Sequence, residues 1–165
     1  MRIIPNNNEV TFDEKTLLVT KTDTKGIITY ANRAFMQTVK MSERELIGKP
    51  HNLIRHPDMP RIIFKFLWQY LKSKKEINAY VKNLCSDGSY YWVFANVTPS
   101  YIDGKITGYH SARKKPKAEA IEIVIPLYKK LLEAEKRGGI KESEKILTSI
   151  LNDKGVEYEK FILSI

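Results

Sequence analysis

The chain has 165 residues, 42% of them hydrophobic and 10% aromatic, which is enough for one ordinary core and little more. Its formal net charge of +9 is spread through stretches of mixed sign, and no nucleic-acid recognition motif accompanies it, so we expect no nucleic-acid partner. Cys85 is the single cysteine, which excludes an internal disulfide and a multi-cysteine zinc site.

Two classes of protein are disfavoured by what the sequence lacks. The N-terminus has no apolar segment typical of a signal peptide, and no apolar run approaches the roughly 20 residues that span a bilayer. There is also no Walker A loop, dinucleotide fingerprint, metal-ligand cluster or Gly-x-Ser-x-Gly elbow. We therefore expect a cytoplasmic protein that is not an enzyme.

The first elements in chain order are an arm and a hairpin. Residues 1–14 are polar and predict an N-terminal arm or cap. Residues 17–20 and 27–30 are rich in β-branched and aliphatic side chains, and the turn between them contains Gly26. This pattern predicts the opening hairpin of a sheet.

Residues 31–60 predict short helical pieces, followed by a longer helix. Ser42 precedes Glu45 by three residues, the spacing of a capping box. A helix from about 58 to 71 is expected to begin with Asp58 as its N-cap. Its apolar face is predicted from the helical spacing of Ile63, Phe66, Leu67 and Tyr70.

Residues 77–85, 90–99 and 105–113 predict three more strands. The turns between them contain Asp87-Gly88 and Asp103-Gly104, which are strong hairpin signals. The order is thus two strands, a helical insert and three strands. The expected fold class is α+β, with a five-stranded antiparallel sheet.

The C-terminal residues 116–165 carry amphipathic helical patterns. The basic run 113–117 reads as a solvated linker that separates them from a sensor-sized domain at 15–115. Pro126 is expected to kink or break the first helix, and Gly138-Gly139 to end it. The apolar faces either pack on the preceding domain or dock a partner, and the sequence leaves both readings open.

The run Gly48-Lys49-Pro50-His51-Asn52-Leu53-Ile54-Arg55-His56-Pro57-Asp58-Met59-Pro60 closely resembles the signature of the PAS domain in the aerotaxis-receptor family. The resemblance extends over about residues 17–115 and includes Ala31-Asn32, Val81-Lys82-Asn83 and Tyr91-Trp92-Val93. It implies a PAS fold with the helical insert after the second strand. Length and layout are similar to the separate PAS protein of a two-protein energy-taxis system.

The resemblance also implies a pocket that holds FAD. The residues that match family positions or lie in the motif are Asn32, His51, Arg55, His56, Asp58, Trp68 and Asn83. Trp68 would supply an aromatic wall, and Arg55 would meet the diphosphate or a negatively charged reduced flavin. There are plainer alternatives. Trp68 could simply belong to the core and Asp58 could cap a helix. Asn32 and Asn83 could bond their own backbone. Ile77 stands where the family often has tryptophan.

The implied function is a flavin redox sensor of aerotaxis or energy taxis. Its partner would be a membrane-bound chemotaxis transducer, contacted at its HAMP or signalling region, which would recruit this chain to the inner face of the membrane. A homodimer is also possible. Two other readings stay open: a cofactor-free PAS module for interaction or dimerisation, and a haem sensor that uses His51, His56 or His110. A photoreceptor adduct is disfavoured because Cys85 lies outside the helical insert.

Overall fold

The computed structural model describes residues 2–165, and its centre is one five-stranded sheet in the order β2-β1-β5-β4-β3. Every pair of neighbouring strands is antiparallel. The strands are β1 (Leu18–Thr22), β2 (Ile28–Ala31), β3 (Ile77–Leu84), β4 (Tyr90–Ile102) and β5 (Lys105–Lys114). The predicted fold class is confirmed, because the helical insert lies between β2 and β3 and further helices follow β5.

Over the described residues, six helices and one 3₁₀ turn complete the fold. The insert contains α1 (Arg33–Val39), α2 (Glu43–Leu46), the 3₁₀ turn His51–Ile54 and α3 (Arg61–Lys72). The C-terminal helices are α4 (Ala118–Gly138), α5 (Ile140–Lys154) and α6 (Tyr158–Ser164). The capping box at the start of α2 is confirmed, since the backbone N–H of Ser42 donates to Glu45 Oε2 at 2.8 Å.

The N-terminal arm runs along the start of β4. The Asn6 N–H donates to the Gly88 carbonyl at 2.8 Å, and the Val10 N–H donates to the Tyr90 carbonyl at 2.7 Å. Gly88 has a φ of +87°, and a Cβ at this position would lie 2.1 Å from the Ile4 carbonyl oxygen. Only glycine suits both the turn and this close approach of the arm.

The start of α3 differs from the sequence prediction. The helix begins after Pro60, and Asp58 does not cap it, because its Oδ2 is paired with Lys82 Nζ at 2.8 Å. The cap comes from α4 instead. Glu135 accepts hydrogen bonds from the backbone N–H groups of Arg61 and Ile62, both at 3.0 Å. A carboxylate at this end is also favoured by the helix dipole.

Helix α4 runs through Pro126 without a break, so the break expected there is wrong, while a kink stays a prediction. Proline removes one intrahelical hydrogen bond. Its ring lies on the exposed side of α4, while Val124 and Tyr128 are buried on the other side. Packing of the buried side outweighs the lost hydrogen bond.

The C-terminal helices cover the outer edge of β3, the last strand of the sheet. The Tyr128 hydroxyl donates to the Tyr80 carbonyl at 2.6 Å, and the Tyr158 hydroxyl donates to the Asn78 carbonyl at 3.3 Å. Edge carbonyls that face no neighbouring strand otherwise need water or another chain. The packing of these helices on the domain is therefore observed, while docking of a partner stays a prediction.

Candidate functional site

A cavity of about 240 Å³ lies between α3 and the inner face of the sheet. Most of its wall is apolar or aromatic. This part of the lining consists of Phe64, Leu67, Trp68 and Leu71 from α3, and of Val81, Ala95, Val97 and Tyr109 from the sheet. A concave apolar site with a few polar groups is the usual form of a small-molecule pocket.

The apolar face predicted for α3 is in fact divided between two neighbours. Leu67 and Trp68 line the cavity, and the Trp68 ring meets the Tyr109 ring edge-on at 5.3 Å. Phe66 and Tyr70 turn away from the cavity and contact the ring of Tyr158 on α6. One helix thus separates the cavity from the C-terminal helices.

The polar end of the cavity is built around Arg113. Its Nη2 lies 2.9 Å from Thr20 Oγ1 and 2.7 Å from His51 Nε2. A guanidinium only donates, so both atoms accept from it. The guanidinium carbon also lies 5.4 Å from the centre of the Phe35 ring. These contacts fix one side of the guanidinium group and leave the other side unpaired.

The unpaired side of Arg113 is the feature that most suggests a ligand. The residue is only 5% exposed, and within residues 2–165 its Nη1 has no hydrogen-bond partner. The hydroxyl of Ser111, which also lines the cavity, is likewise buried without a partner. Buried polar groups are normally satisfied, so an exception needs an explanation. Burial lowers the pKa of Arg113 to about 10, which still leaves it charged at neutral pH.

His51 is held as a neutral imidazole at the same end. Burial of the ring and the neighbouring Arg113 cation lower the pKa of His51 to about 3. The residue as a whole keeps some exposure, but its ring faces Arg113, Thr20 and the Phe35 ring, whose centre lies 6.0 Å away. His51 therefore serves as a hydrogen-bond acceptor that orients Arg113.

Arg55 lines both the cavity and a groove beside it. Its guanidinium carbon is 3.9 Å from the centre of the Phe64 ring, a cation–π contact, and its backbone pairs with Asn83. Burial lowers the pKa of Arg55, the nearby Arg61 adds to this, and Glu135 opposes it. Asn83 is 5% exposed and contributes to the cavity lining.

A second, more open groove of about 590 Å³ adjoins the cavity, and the two share Asn52 and Arg55. Its walls are formed by the N-terminal arm, by the loop that precedes α3, and by α4. Its lining contains three arginines, namely Arg2, Arg55 and Arg61, together with Glu135. Arg61 Nε lies 3.5 Å from Glu135 Oε2, and three arginines against one carboxylate leave the groove with an excess of positive charge.

Three predicted site residues lie outside the cavity lining, and their side chains are already engaged. Asn32 caps α1, with its Oδ1 accepting from the Phe35 N–H at 2.9 Å and its Nδ2 donating to the Leu17 carbonyl at 2.8 Å. His56 Nδ1 accepts from the Asp58 N–H at 3.0 Å, and Asp58 pairs with Lys82. The structure thus brings together four of the seven predicted residues: His51, Arg55, Trp68 and Asn83.

His56 and Asp58 shift each other's pKa, and neither residue lines the cavity. Burial lowers the pKa of His56, and Lys82 lowers it further, while Asp58 opposes the shift. Burial on its own would raise the pKa of Asp58, but the hydrogen bond from Lys82 lowers it overall. Of the two, only His56 contributes to the lining of the groove.

The sequence prediction missed Arg113, Ser111 and Thr20. Assigning Arg113 to a solvated linker is wrong, because β5 continues to Lys114 and Arg113 is buried. The signal was present in the strand alternation. Tyr109, Ser111 and Arg113 follow at intervals of two and so share the inner face of the sheet, which places His110 on the opposite face.

Comparison with known proteins identifies the fold family. A family model described as "PAS fold" matches residues 28–113. The chain belongs to the PAS family. It is 42% identical to the aerotaxis receptor of Escherichia coli strain K12 over 128 residues, which are 78% of this chain and 25% of the receptor. The predicted kinship with the PAS domain of that receptor is confirmed, although the chain spans only about a quarter of the receptor's length.

Two further relatives extend the comparison. The nitrogen fixation regulatory protein of Klebsiella pneumoniae is 29% identical over 87 residues, which are 53% of this chain and 18% of that protein. A light-oxygen-voltage domain, solved in a study of a flavin analogue, superimposes with a TM-score of 0.60 at 15% identity and covers 66% of this chain and 84% of that one. The structural likeness shows a shared fold. Within residues 2–165, none of the helices is both long and apolar enough to cross a membrane.

Proposed function

We propose that this PAS domain binds FAD in the cavity and acts as a redox sensor for aerotaxis or energy taxis. The observation that carries the proposal is the position of four residues that match the family. His51, Arg55, Trp68 and Asn83 come from three separate segments of the chain and meet in one cavity. The likeness to the aerotaxis receptor points to the same signalling context.

The cavity suits the flavin ring system. The isoalloxazine ring is a planar apolar surface with one polar edge, and it needs apolar walls and a few directed hydrogen bonds. Trp68 and Val97 offer such walls, and Arg113 Nη1 and Ser111 Oγ are free to donate to the polar edge. A bound flavin would supply reversible acceptance of electrons. A related PAS-fold domain was solved in a study of a flavin analogue, which supports this choice of cofactor.

The adjoining groove favours FAD over a mononucleotide flavin. The cavity of about 240 Å³ lies below the range of about 300–1,000 Å³ that is usual for whole ligands, so it suits the ring system alone. Arg55 stands between cavity and groove, and Arg2 and Arg61 line the groove beyond it. Arginines are well suited to a diphosphate because they offer forked donors and a permanent charge.

The two other readings have less support. A cofactor-free module would fill the pocket with side chains, yet Phe66 packs against Tyr158 instead and a cavity remains. A haem sensor would need a histidine whose nitrogen is free to bind iron. In the cavity, His51 Nε2 accepts from the Arg113 cation, which is unsuited to an axial ligand.

The route of the signal would run through α3. One side of this helix faces the cavity at Phe64 and Trp68, and the other contacts Tyr158 of α6. Its first turn is capped by Glu135 of α4. A change of flavin charge that altered the contacts of Arg55 or Asn83 would shift α3, and the shift would be passed to the C-terminal helices.

The partner would be a membrane-bound chemotaxis transducer that binds the C-terminal helices through its HAMP or signalling region. It would hold this cytoplasmic chain at the inner face of the membrane. Helix α4 exposes Ile123 and Ile125, at 51% and 49%. We expect Ile123→Ser and Ile125→Ser to weaken transducer binding without changing flavin content. Sedimentation of the purified protein would report whether it also forms a homodimer.

The test of the function is the absorption spectrum of the purified protein, recorded before and after incubation with FAD. We expect the paired near-ultraviolet and blue bands of an oxidised flavin, which disappear on reduction. A Soret band would favour the haem reading. A folded, colourless protein that does not take up FAD would contradict the proposal.

A matched pair of variants tests the site assignment. Arg55→Ala is expected to lower FAD affinity more than FMN affinity, because it removes a charge at the entrance to the groove. Arg137→Ala makes the same charge change at an exposed position near the end of α4 and serves as the control. Equal losses for FAD and FMN would show that the groove does not bind the diphosphate and adenosine part.

A further inference from the structure

Arg113 is a buried cation without a counter-charge. Among residues 2–165, none of the ion pairs includes it, and its two side-chain partners, Thr20 and His51, are neutral acceptors. Transfer of a charge from water into a protein interior is costly unless the charge is paired. The fold retains this charge at the inner end of the cavity, where one of its donor nitrogens stays free.

The surroundings of Arg113 hold one nitrogen of the guanidinium group and leave the other available in the cavity lining. His51 and Thr20 hold Nη2, so the orientation of the guanidinium plane is fixed before any ligand arrives. Ser111 lies two residues away on the same strand and face, and its hydroxyl is a second buried donor without a partner among residues 2–165. Two unpaired donors next to a fixed positive charge form a subsite for a negatively charged or electron-rich group.

We propose that Arg113, together with Ser111, determines the charge preference of the cavity, so that it binds negatively charged reduced flavin more tightly than neutral oxidised flavin. This inference rests on the proposed function. Uptake of two electrons and one proton makes the flavin ring one unit more negative, and the free Nη1 of Arg113 would bind the ring edge on which that charge collects. His51 acts as a positioning residue, because it orients Arg113.

Differential binding of the two flavin forms is also what a sensor requires. A ligand shifts a conformational equilibrium only through contacts that differ between states. The attraction between Arg113 and the added negative charge exists in one redox state only, and it acts in a site of low dielectric constant. By linkage, tighter binding of reduced flavin raises the reduction potential of bound flavin by about 30 mV for each tenfold difference in affinity.

The experiment is an anaerobic titration of wild-type protein and of Arg113→Met, Arg113→Gln and Arg113→Lys with oxidised FAD and with FAD reduced by dithionite. In both neutral variants we expect the ratio of reduced to oxidised affinity to fall by about tenfold or more, and the potential of bound flavin to fall by about 30 mV or more. Arg113→Lys, which keeps the charge, is expected to lose less. Lys114→Met removes the neighbouring exposed charge and is expected to change neither quantity.

Each outcome bears on one claim. An unchanged affinity ratio in folded, flavin-binding neutral variants would overturn the role of Arg113 while leaving the proposed function intact. Wild-type protein that binds neither form of FAD would instead overturn the proposed function. Circular dichroism of the flavin-free variants gives a further readout. Loss of fold in both neutral variants would contradict the inference, because a ligand-facing charge is not needed to hold the empty domain together.

Discussion

Two buried charges in this protein, Glu135 and Arg113, differ in how completely the surrounding groups satisfy them. Glu135 is 8% exposed, and its carboxylate accepts from two backbone N–H groups of α3 and from the Ser143 hydroxyl at 3.0 Å. Arg113 is 5% exposed, but one of its terminal nitrogens has no hydrogen-bond partner in the part of the chain that the structure describes. The Glu135 carboxylate is thus surrounded by hydrogen-bond donors from the protein, whereas only one terminal nitrogen of Arg113 is hydrogen-bonded.

The difference separates structural from ligand-binding roles. A fully satisfied buried charge stabilises the fold, and removing it leaves donors without a partner. A half-satisfied buried charge destabilises the empty protein, and such sites persist where a ligand completes them. We therefore expect loss of Glu135 to weaken the fold, and loss of Arg113 to strengthen the empty fold while it weakens ligand binding.

The largest effect is expected for Glu135→Ala. It should lower the free energy of unfolding by about 2–4 kcal/mol, because the N–H groups of Arg61 and Ile62 lose their acceptor at a buried helix start. Urea denaturation measures this. Glu133→Ala, at an exposed position on the same helix, is the control and should change stability by no more than about 0.5 kcal/mol. Similar losses of unfolding free energy for the two substitutions would contradict a structural role for Glu135.

The second prediction concerns the loss of stability at low pH that comes from His51, the neighbour of Arg113. The folded pKa of His51 is about 3, against an ordinary value of 6.5 in the unfolded chain. Between these values the unfolded state binds a proton that the folded state does not, so stability is lost as the pH falls through this window. The loss is up to about 1.4 kcal/mol per pH unit.

Urea denaturation at pH 7 and pH 5 tests this prediction. His51→Gln, which keeps a hydrogen-bond acceptor for Arg113, should lose up to about 2 kcal/mol less than the wild type between the two values. If His51→Gln kept the full acid sensitivity, the neutral imidazole beside Arg113 would be ruled out as its source.

The third prediction addresses the empty cavity. Arg113→Met should raise the free energy of unfolding of flavin-free protein by about 1–2 kcal/mol, because an apolar side chain of similar length replaces an incompletely paired charge. Thr20 Oγ1 lies 3.0 Å from His51 Nε2, so these two side chains can still form a hydrogen bond with each other. Thermal unfolding of flavin-free protein provides the measurement. A clear decrease in stability would make Arg113 structural, like Glu135.

The smallest effect is expected at the edge of β3. Tyr128→Phe should lower the free energy of unfolding by about 1 kcal/mol, because the buried Tyr80 carbonyl loses its donor. Tyr158→Phe is the matched substitution on the same strand edge, and its longer hydrogen bond of 3.3 Å predicts a smaller loss. Denaturation of both variants decides the order. A larger loss for Tyr158→Phe would contradict this ranking.

The sequence predicts the sheet well because the signals for it are local. The Asp-Gly turns and the alternation in the strands lie within a few residues of the elements that they define, as does the capping box at Ser42. The cap of α3 could not be predicted in this way. It is supplied by Glu135, which is 74 residues from Arg61 in the chain, so Asp58 offered the only nearby candidate.

The candidate site was predicted where the motif covers it. His51 and Arg55 lie within the motif, and Trp68 and Asn83 match family positions outside it. Arg113 was missed because its lysine neighbours suggested solvent. Arg113 is buried although the lysine beside it is exposed, because successive side chains of a strand point to opposite faces, which places Arg113 inward and Lys114 outward. Asn32 shows the reverse case, since a polar side chain at a family position is engaged by the backbone of its own hairpin and helix.

The central claim is that the half-satisfied charge of Arg113 faces a flavin site. The most direct measurement is anaerobic calorimetric titration of flavin-free wild-type protein with dithionite-reduced FAD, with Lys114→Met and Arg113→Met titrated beside it. We predict one FAD per chain for the wild type and for Lys114→Met, and weaker binding for Arg113→Met. Absence of FAD binding by folded wild-type protein, or equal affinity in all three, would contradict the account.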